Sequence, residues 1–155
     1  MTGLERRRDR GDNDLDDPFD LERFIAAQDV GGTYDRATAE LRRGHKTSHW
    51  MWFVFPQIAG LGQSPTSRKY AISSLEEASA YLRHPVLGPR LTECARILTE
   101  VRGHSAEQIF GGLDAQKLHS SMTLFWRAAP GEPLFGQVIS QYFGGVPDSA
   151  TDQLL

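Results

Sequence analysis

The chain has 155 residues, of which 39% are hydrophobic and 24% charged, with a formal net charge of −3. A chain of this length buries roughly 70% of its unfolded surface, enough for one core. The negative balance argues against duplex nucleic acid as a partner, because affinity for a duplex comes from neutralising phosphates. Cys94 is the single cysteine, so no internal disulfide exists, and a reducing, cytoplasmic setting is expected. No run approaches the ~18 apolar residues of a membrane helix, and no apolar signal-peptide centre is found near the N-terminus.

In chain order, residues 1–17 carry six acidic residues and four arginines with few apolar side chains, which predicts a disordered tail. The folded domain is expected over 18–155. Asp20 is placed to cap a first helix with Leu21, Phe24 and Ile25 on one face, stopped at Gly31-Gly32. A second helix is expected from Thr33, with Tyr34, Ala37 and Leu41 on its face, to Gly44. Trp50 to Phe55 is apolar on every side and reads as a short buried helix ended before Pro56.

Residues 57–65 read as a loop, and Ser64-Pro65 as the start of a short helix. Ser74 caps the next helix, with Glu77 in capping-box position and Leu75, Ala78 and Leu82 at helical spacing, up to Pro85. The stripe Val86, Leu87, Leu91, Cys94, Ala95, Leu98 predicts a long amphipathic helix ending near Gly103. A short helix over Ser105 to Phe110 follows. Asp114 is expected to cap a helix over Ala115 to Ala128, and a last substantial helix covers Pro133 to Phe143, with a terminal turn after Asp148. No alternating strand pair is present, so the fold class is all-α, a single domain of about seven short to medium helices.

Chemistry-bearing residues concentrate around Ser48 to Gly62, SHWMWFVFPQIAGLG. Trp50 and Trp52 bring two indoles within three residues, each with an N–H that needs a partner, so the segment belongs either to the core centre or to a cavity wall. His49 beside them is the candidate acid, base or ligand, and Gln57 offers an amide for polar recognition. The loop Gly60, Gly62, Ser64 leads into a helix start with Arg68, Lys69 and Tyr70 on the next turns, an arrangement suited to an anion. It matches neither a Walker loop nor a dinucleotide fingerprint, and no cofactor is expected. Lys117 and Ser121 are one turn apart with Ser120 beside them, a polar lining or a solvated face. Histidine spacing and the lone cysteine supply no metal-ligand pattern, so no metal is expected.

The strings DPFDLERFIAAQ, SHWMWFVFPQIAGLG, SRKYAISSLEEASAYLRHPVLGPRL, KLHSSMTLF and YFGG with TDQLL carry a resemblance over Asp17 to Leu155. By them the chain resembles the bacterial family named domain of unknown function 1810. The resemblance implies a compact, mainly helical domain and no established activity. The chain departs from the family pattern at Asp29-Val30-Gly31-Gly32 and at Trp126.

Two functions fit these residues. The first is a pocket for a nucleotide-like or ADP-ribose-like anion, with an indole stacked on a planar group, Gln57 and His49 in polar contact, and the glycine loop with Arg68, Lys69 or Lys117 on the anionic part. In an enzymatic version, water activated by His49 hydrolyses the ligand. The second is a non-enzymatic helical module whose aromatic block is wholly internal.

Overall fold

A computed structural model of the chain describes residues 16–155. The tail expectation for residues 1–15 lies outside the described residues. Asp17 belongs to the folded part: its carboxylate accepts from the Leu21 and Glu22 backbone N–H groups at 2.6 and 3.0 Å. This corrects the capping role expected for Asp20, which adopts a left-handed φ of 54° and offers no side-chain cap.

All named elements among the described residues are helical: α1 Glu22–Asp29, α2 Thr33–Arg43, α3 Met51–Val54, α4 Pro65–Lys69, α5 Leu75–Arg83, α6 Leu87–Glu100, α7 Ala106–Phe110, α8 Gly112–Ala128, α9 Pro133–Phe143 and α10 Ser149–Gln153. The chain is all-α, as the spacing predicts. None of these helices is long and apolar enough to cross a membrane.

Local chemistry sets most boundaries. Ser64, Ser74 and Ser105 each accept from the backbone N–H three residues on, satisfying donors that a helix start leaves open. Glu77 does not close a box onto Ser74; its carboxylate accepts from the Ser73 N–H and hydroxyl, each at 2.8 Å. Asp114 is not the cap of α8. That helix starts at Gly112, because Gly111, at φ 80°, turns the chain directly out of α7. Asp114 therefore lies inside the first turn, with its side chain free for a tertiary role.

The two longest helices, α6 and α8, are joined through α5 and α9, each of which packs on both. Phe24, Tyr81, Phe125 and Phe135 form a chain of aromatic contacts through the core, with centroids 5.1 to 6.0 Å apart. Trp50, Phe55 and Phe110 form a second cluster at one end. The α5–α6 turn requires glycine: a Cβ on Gly88 would fall 2.1 Å from the Leu82 carbonyl oxygen.

Glu40, on α2, is a carboxylate that is 1% exposed and has no cationic partner among the described residues. Oε1 accepts from the N–H groups of Thr47 and Ser48 and from Trp50 Nε1 at 2.8, 3.1 and 2.9 Å, and Oε2 from the Ser48 hydroxyl. Burial pushes its pKa up, but these four donors outweigh burial and hold it at about 2.

A carboxyl depressed in the folded state stabilises above its unfolded pKa and loses that contribution as pH falls through the folded value. The Glu40 contribution, ~3 kcal/mol at neutral pH, should fade between about pH 4.5 and pH 2. Urea midpoints across that range should show Glu40→Gln less stable at pH 7 by about 2 kcal/mol, with a flatter acid dependence than the parent chain. Gly88→Ala should lose about 2 kcal/mol. Gly112→Ala, with open space around the new methyl, should stay within about 0.5 kcal/mol of the parent.

Candidate functional site

The indole pair straddles the start of α3. Trp50 is the N-cap, with a non-helical φ of −144°, while Trp52 lies inside the helix, and one ring is buried and the other half-buried. Glu40 decides which. By accepting from Trp50 Nε1 it draws that ring fully into the core, and Trp52 is left half-buried on the outer side of α3.

Trp52 forms one wall of a hollow of about 150 Å³. The opposite wall is built by the loop that leaves and rejoins the core around α4. An isolated parallel bridge closes this loop: the Ala59 N–H donates to the Ile72 carbonyl and the Ile72 N–H to the Gln57 carbonyl, both at 2.8 Å. Gln57, Gly60, Gly62, Ser67, Arg68 and Tyr70 line the space so enclosed. A side chain at Gly62 would collide with Ser67, whose Cβ and Oγ lie 2.5 Å from a built Cβ. Leu154, from the C-terminal segment, packs over Gly60, its methyl carbons 3.3 Å from where a Cβ on Gly60 would lie.

The wall is held from outside by Arg23. Its guanidinium donates to the carbonyls of Lys69 and Ala71 at 2.8 Å on either side of Tyr70, to those of Phe19 and Asp20, and to Glu77 Oε2 at 2.8 Å. Charge-assisted bonds of this kind are the stronger class. They fix the loop carrying Tyr70 to α1 and α5.

The polar groups of the hollow differ from those of the core. Elsewhere, Ser121 apart, the buried polar side chains among the described residues are paired: Gln28 donates to the Phe53 carbonyl and accepts from Arg90, and Asp148 accepts from Gln116, Ser120 and Thr151. Around the hollow, Trp52 Nε1, the Gln57 amide and the Tyr70 hydroxyl make no hydrogen bond among the described residues, and none is a buried orphan, so each faces water. Arg68 makes one long contact, 3.4 Å, to Gln63.

Beyond Trp52 lies a charged group. Lys46, with a side chain only 7% exposed, pairs with Asp114 at 2.8 Å and donates to the Ser48 carbonyl. Lys117 shares the same carboxylate at 3.2 Å and places its ammonium 4.9 Å from the Trp52 ring centroid. Burial pushes the Asp114 carboxyl up, but the two ammonium groups hold it below the usual range. One carboxylate against two lysines leaves an excess positive charge beside Trp52.

The sequence candidates thus separate. Trp52, Gln57, Gly60, Gly62, Arg68 and Tyr70 come together at the hollow, with Lys117 across the indole. Trp50 is core. His49 is exposed and does not line the hollow. Ser64 caps α4, and Lys69 is exposed with its ammonium 5.3 Å from the Tyr70 ring centroid. Ser120 is bonded to Asp148, docking the C-terminal segment. Ser121 is fully buried with an unpartnered hydroxyl, and the Lys117 ammonium is turned to Asp114, so no activated Lys–Ser pair forms. Cys94 is buried and burial pushes its thiol up to about 12, a core residue and not a nucleophile.

Sequence reasoning missed Ser67, Arg23 and the Lys46–Asp114 pair. The three-residue step from the Ser64 cap marks Ser67, since its N–H is the capped one. Nothing local marks Arg23, whose acceptors on Lys69 and Ala71 lie 46 and 48 residues away.

The pattern described as "Protein of unknown function (DUF1810)" matches residues 18–155. The crystal structure of the conserved hypothetical protein Rv1873 from Mycobacterium tuberculosis is similar, with 53% sequence identity and a TM-score of 0.87 over 90% of this chain and 98% of that one. No curated protein matches the chain. With its pattern spanning nearly all of the folded part, the chain belongs to the DUF1810 family of proteins of unknown function.

Proposed function

We propose that the hollow beside Trp52 binds a small anionic ligand with a planar ring, of the nucleotide or ADP-ribose type. The observation that carries this reading is the set of unspent polar groups around one half-exposed indole, in a molecule that pairs its core polar groups almost completely. Trp52 and Tyr70 offer ring faces, Gln57 an amide, and Arg68 a fork for a carboxylate or phosphate. No acidic side chain lines the hollow, and the excess charge at Lys117 adds to that of Arg68. At about 150 Å³ the space is below the 300–1,000 Å³ usual for a whole drug-sized ligand, so it receives the ring while the anionic part runs over the surface.

The reading is binding and not hydrolysis. His49, the residue the hydrolytic scheme needs, stands on the exposed loop and outside the lining.

Tryptophan fluorescence and thermal unfolding against adenosine, AMP, ADP, ADP-ribose and inorganic phosphate test the proposal. An anionic nucleotide at 100-fold its Kd should raise Tm by about 5–10 °C, and adenosine by less. Arg68→Ala should weaken binding by about 10- to 100-fold, the loss of a charge-assisted bond. Absence of any shift across the panel, or an unchanged affinity in Trp52→Ala, would remove the proposal. Arg23→Lys, which never meets the ligand, should also lower affinity by loosening the Tyr70 wall, with faster amide exchange near residues 69–72 as an independent readout.

A further inference from the structure

A second surface, apart from that hollow, gathers positive charge. Arg42 and Arg43 end α2, and Arg102 extends from the loop after α6. They line one groove of about 330 Å³ with His104, whose ring packs over Gly44. Arginines at a helix C-terminus complement its dipole, but Arg102 belongs to a different element. None of the three arginines makes a hydrogen bond or ion pair with the described residues, and Glu100 is the one acidic side chain in the lining. In a chain of net charge −3, three unpaired guanidinium groups facing one groove form a local field opposite in sign to the whole.

Arg102 also borders a second groove, of about 530 Å³, so the two adjoin at its side chain. That groove runs along α9 past Trp126, Gln137 and Ser140. Gly136 lies against the indole, where any Cβ would fall 3.0 to 3.2 Å from Cε2, Cζ2 and Nε1, so the nitrogen-bearing edge of Trp126 is backed by bare backbone. Trp126 is half-buried and its N–H has no partner among the described residues. The junction is firm: Gln141 Nε2 donates to the carbonyls of Leu98 and Val101, and the Tyr142 hydroxyl to that of Leu98 at 2.7 Å, tying α9 to the end of α6 beneath Arg102.

A strip with guanidinium groups at one end and an indole flanked by amide and hydroxyl groups at the other matches the chemistry of an unpaired nucleotide strand. Phosphates take charge, and an unstacked base takes a ring. Three arginines are too few for tight duplex binding but sufficient for a short strand. We propose that this strip binds single-stranded nucleic acid, with phosphates at Arg42, Arg43 and Arg102 and a base stacked on Trp126. This site is independent of the ligand proposed at Trp52.

Fluorescence anisotropy of labelled dT12 and U12 from 20 to 200 mM KCl tests it, with a duplex of equal length for comparison. The expected slope of log K against log salt is about −2, from three contacts at about −0.7 each, and Arg102→Ala should reduce it by one contact. Trp126→Ala should weaken binding about 10-fold, and Ser140→Glu, an exposed groove position that leaves the core intact, should do the same by repulsion. Trp52→Ala should change nothing. Failure to bind either strand at 20 mM KCl would overturn the proposal. So would binding that Ser140→Glu and Arg102→Ala leave unchanged, or inorganic polyphosphate competing equally while a folded Trp126→Ala keeps full affinity.

Discussion

A single buried anion orders the half of the molecule in which the chemistry is concentrated. Glu40 has no counter-cation among the described residues, and a charge at 1% exposure is sustained there by four donors that converge on it. Three of those donors belong to the loop that would otherwise leave Thr47 and Ser48 unsatisfied. The fourth is the Trp50 indole. Geometry at Glu40 therefore sets where α3 begins and which way its aromatic residues turn, and through that turn it places Trp52 at the surface.

The same economy of donors separates structural from available polarity. Arg23, Gln28, Asp148 and Glu40 each satisfy several partners from distant parts of the chain, and each ties one segment to another. The Gln57 amide, the Tyr70 hydroxyl and the Trp52 N–H tie nothing among the described residues, and the Arg68 guanidinium reaches only nearby Gln63. Buried polar groups must be paired because no water reaches them, whereas groups at a concave surface keep their capacity for whatever enters. Lys46 and Asp114 lie between these two classes: Lys46 is nearly enclosed, and its tight pair with Asp114 leaves half-buried Lys117 as the most open member of an unbalanced trio.

Charge on this molecule is distributed against its average. A net negative chain disfavours broad adhesion to phosphate polymers, yet three of the arginines without a partner among the described residues are grouped, at the end of α2 and in the loop after α6. The hollow at Trp52 and the strip from Arg42 to Trp126 use the same pairing of a ring with a cation, built on different elements and with no shared lining residue.

Helical class, most helix boundaries and the amphipathic stripes were legible from residue order alone, because caps and the 3.6-residue period act over one or two turns. Ser64, Ser74 and Ser105 show this directly. The local rules failed where a tertiary partner outcompeted them. Asp20 lost its capping role to Asp17, and Asp114 was already inside a helix begun by the Gly111 turn and was claimed by Lys46. Sequence placed two tryptophans near a glycine loop with basic residues following; it held no information on which indole faced water. That choice rests on Glu40, ten residues before Trp50 and on another helix, and the wall opposite Trp52 rests on Arg23, nearly fifty residues from the carbonyls it holds. Bonds that span such distances exist only once the chain has folded, so the residue types in the hollow were written in the sequence while their convergence was decided by the tertiary structure.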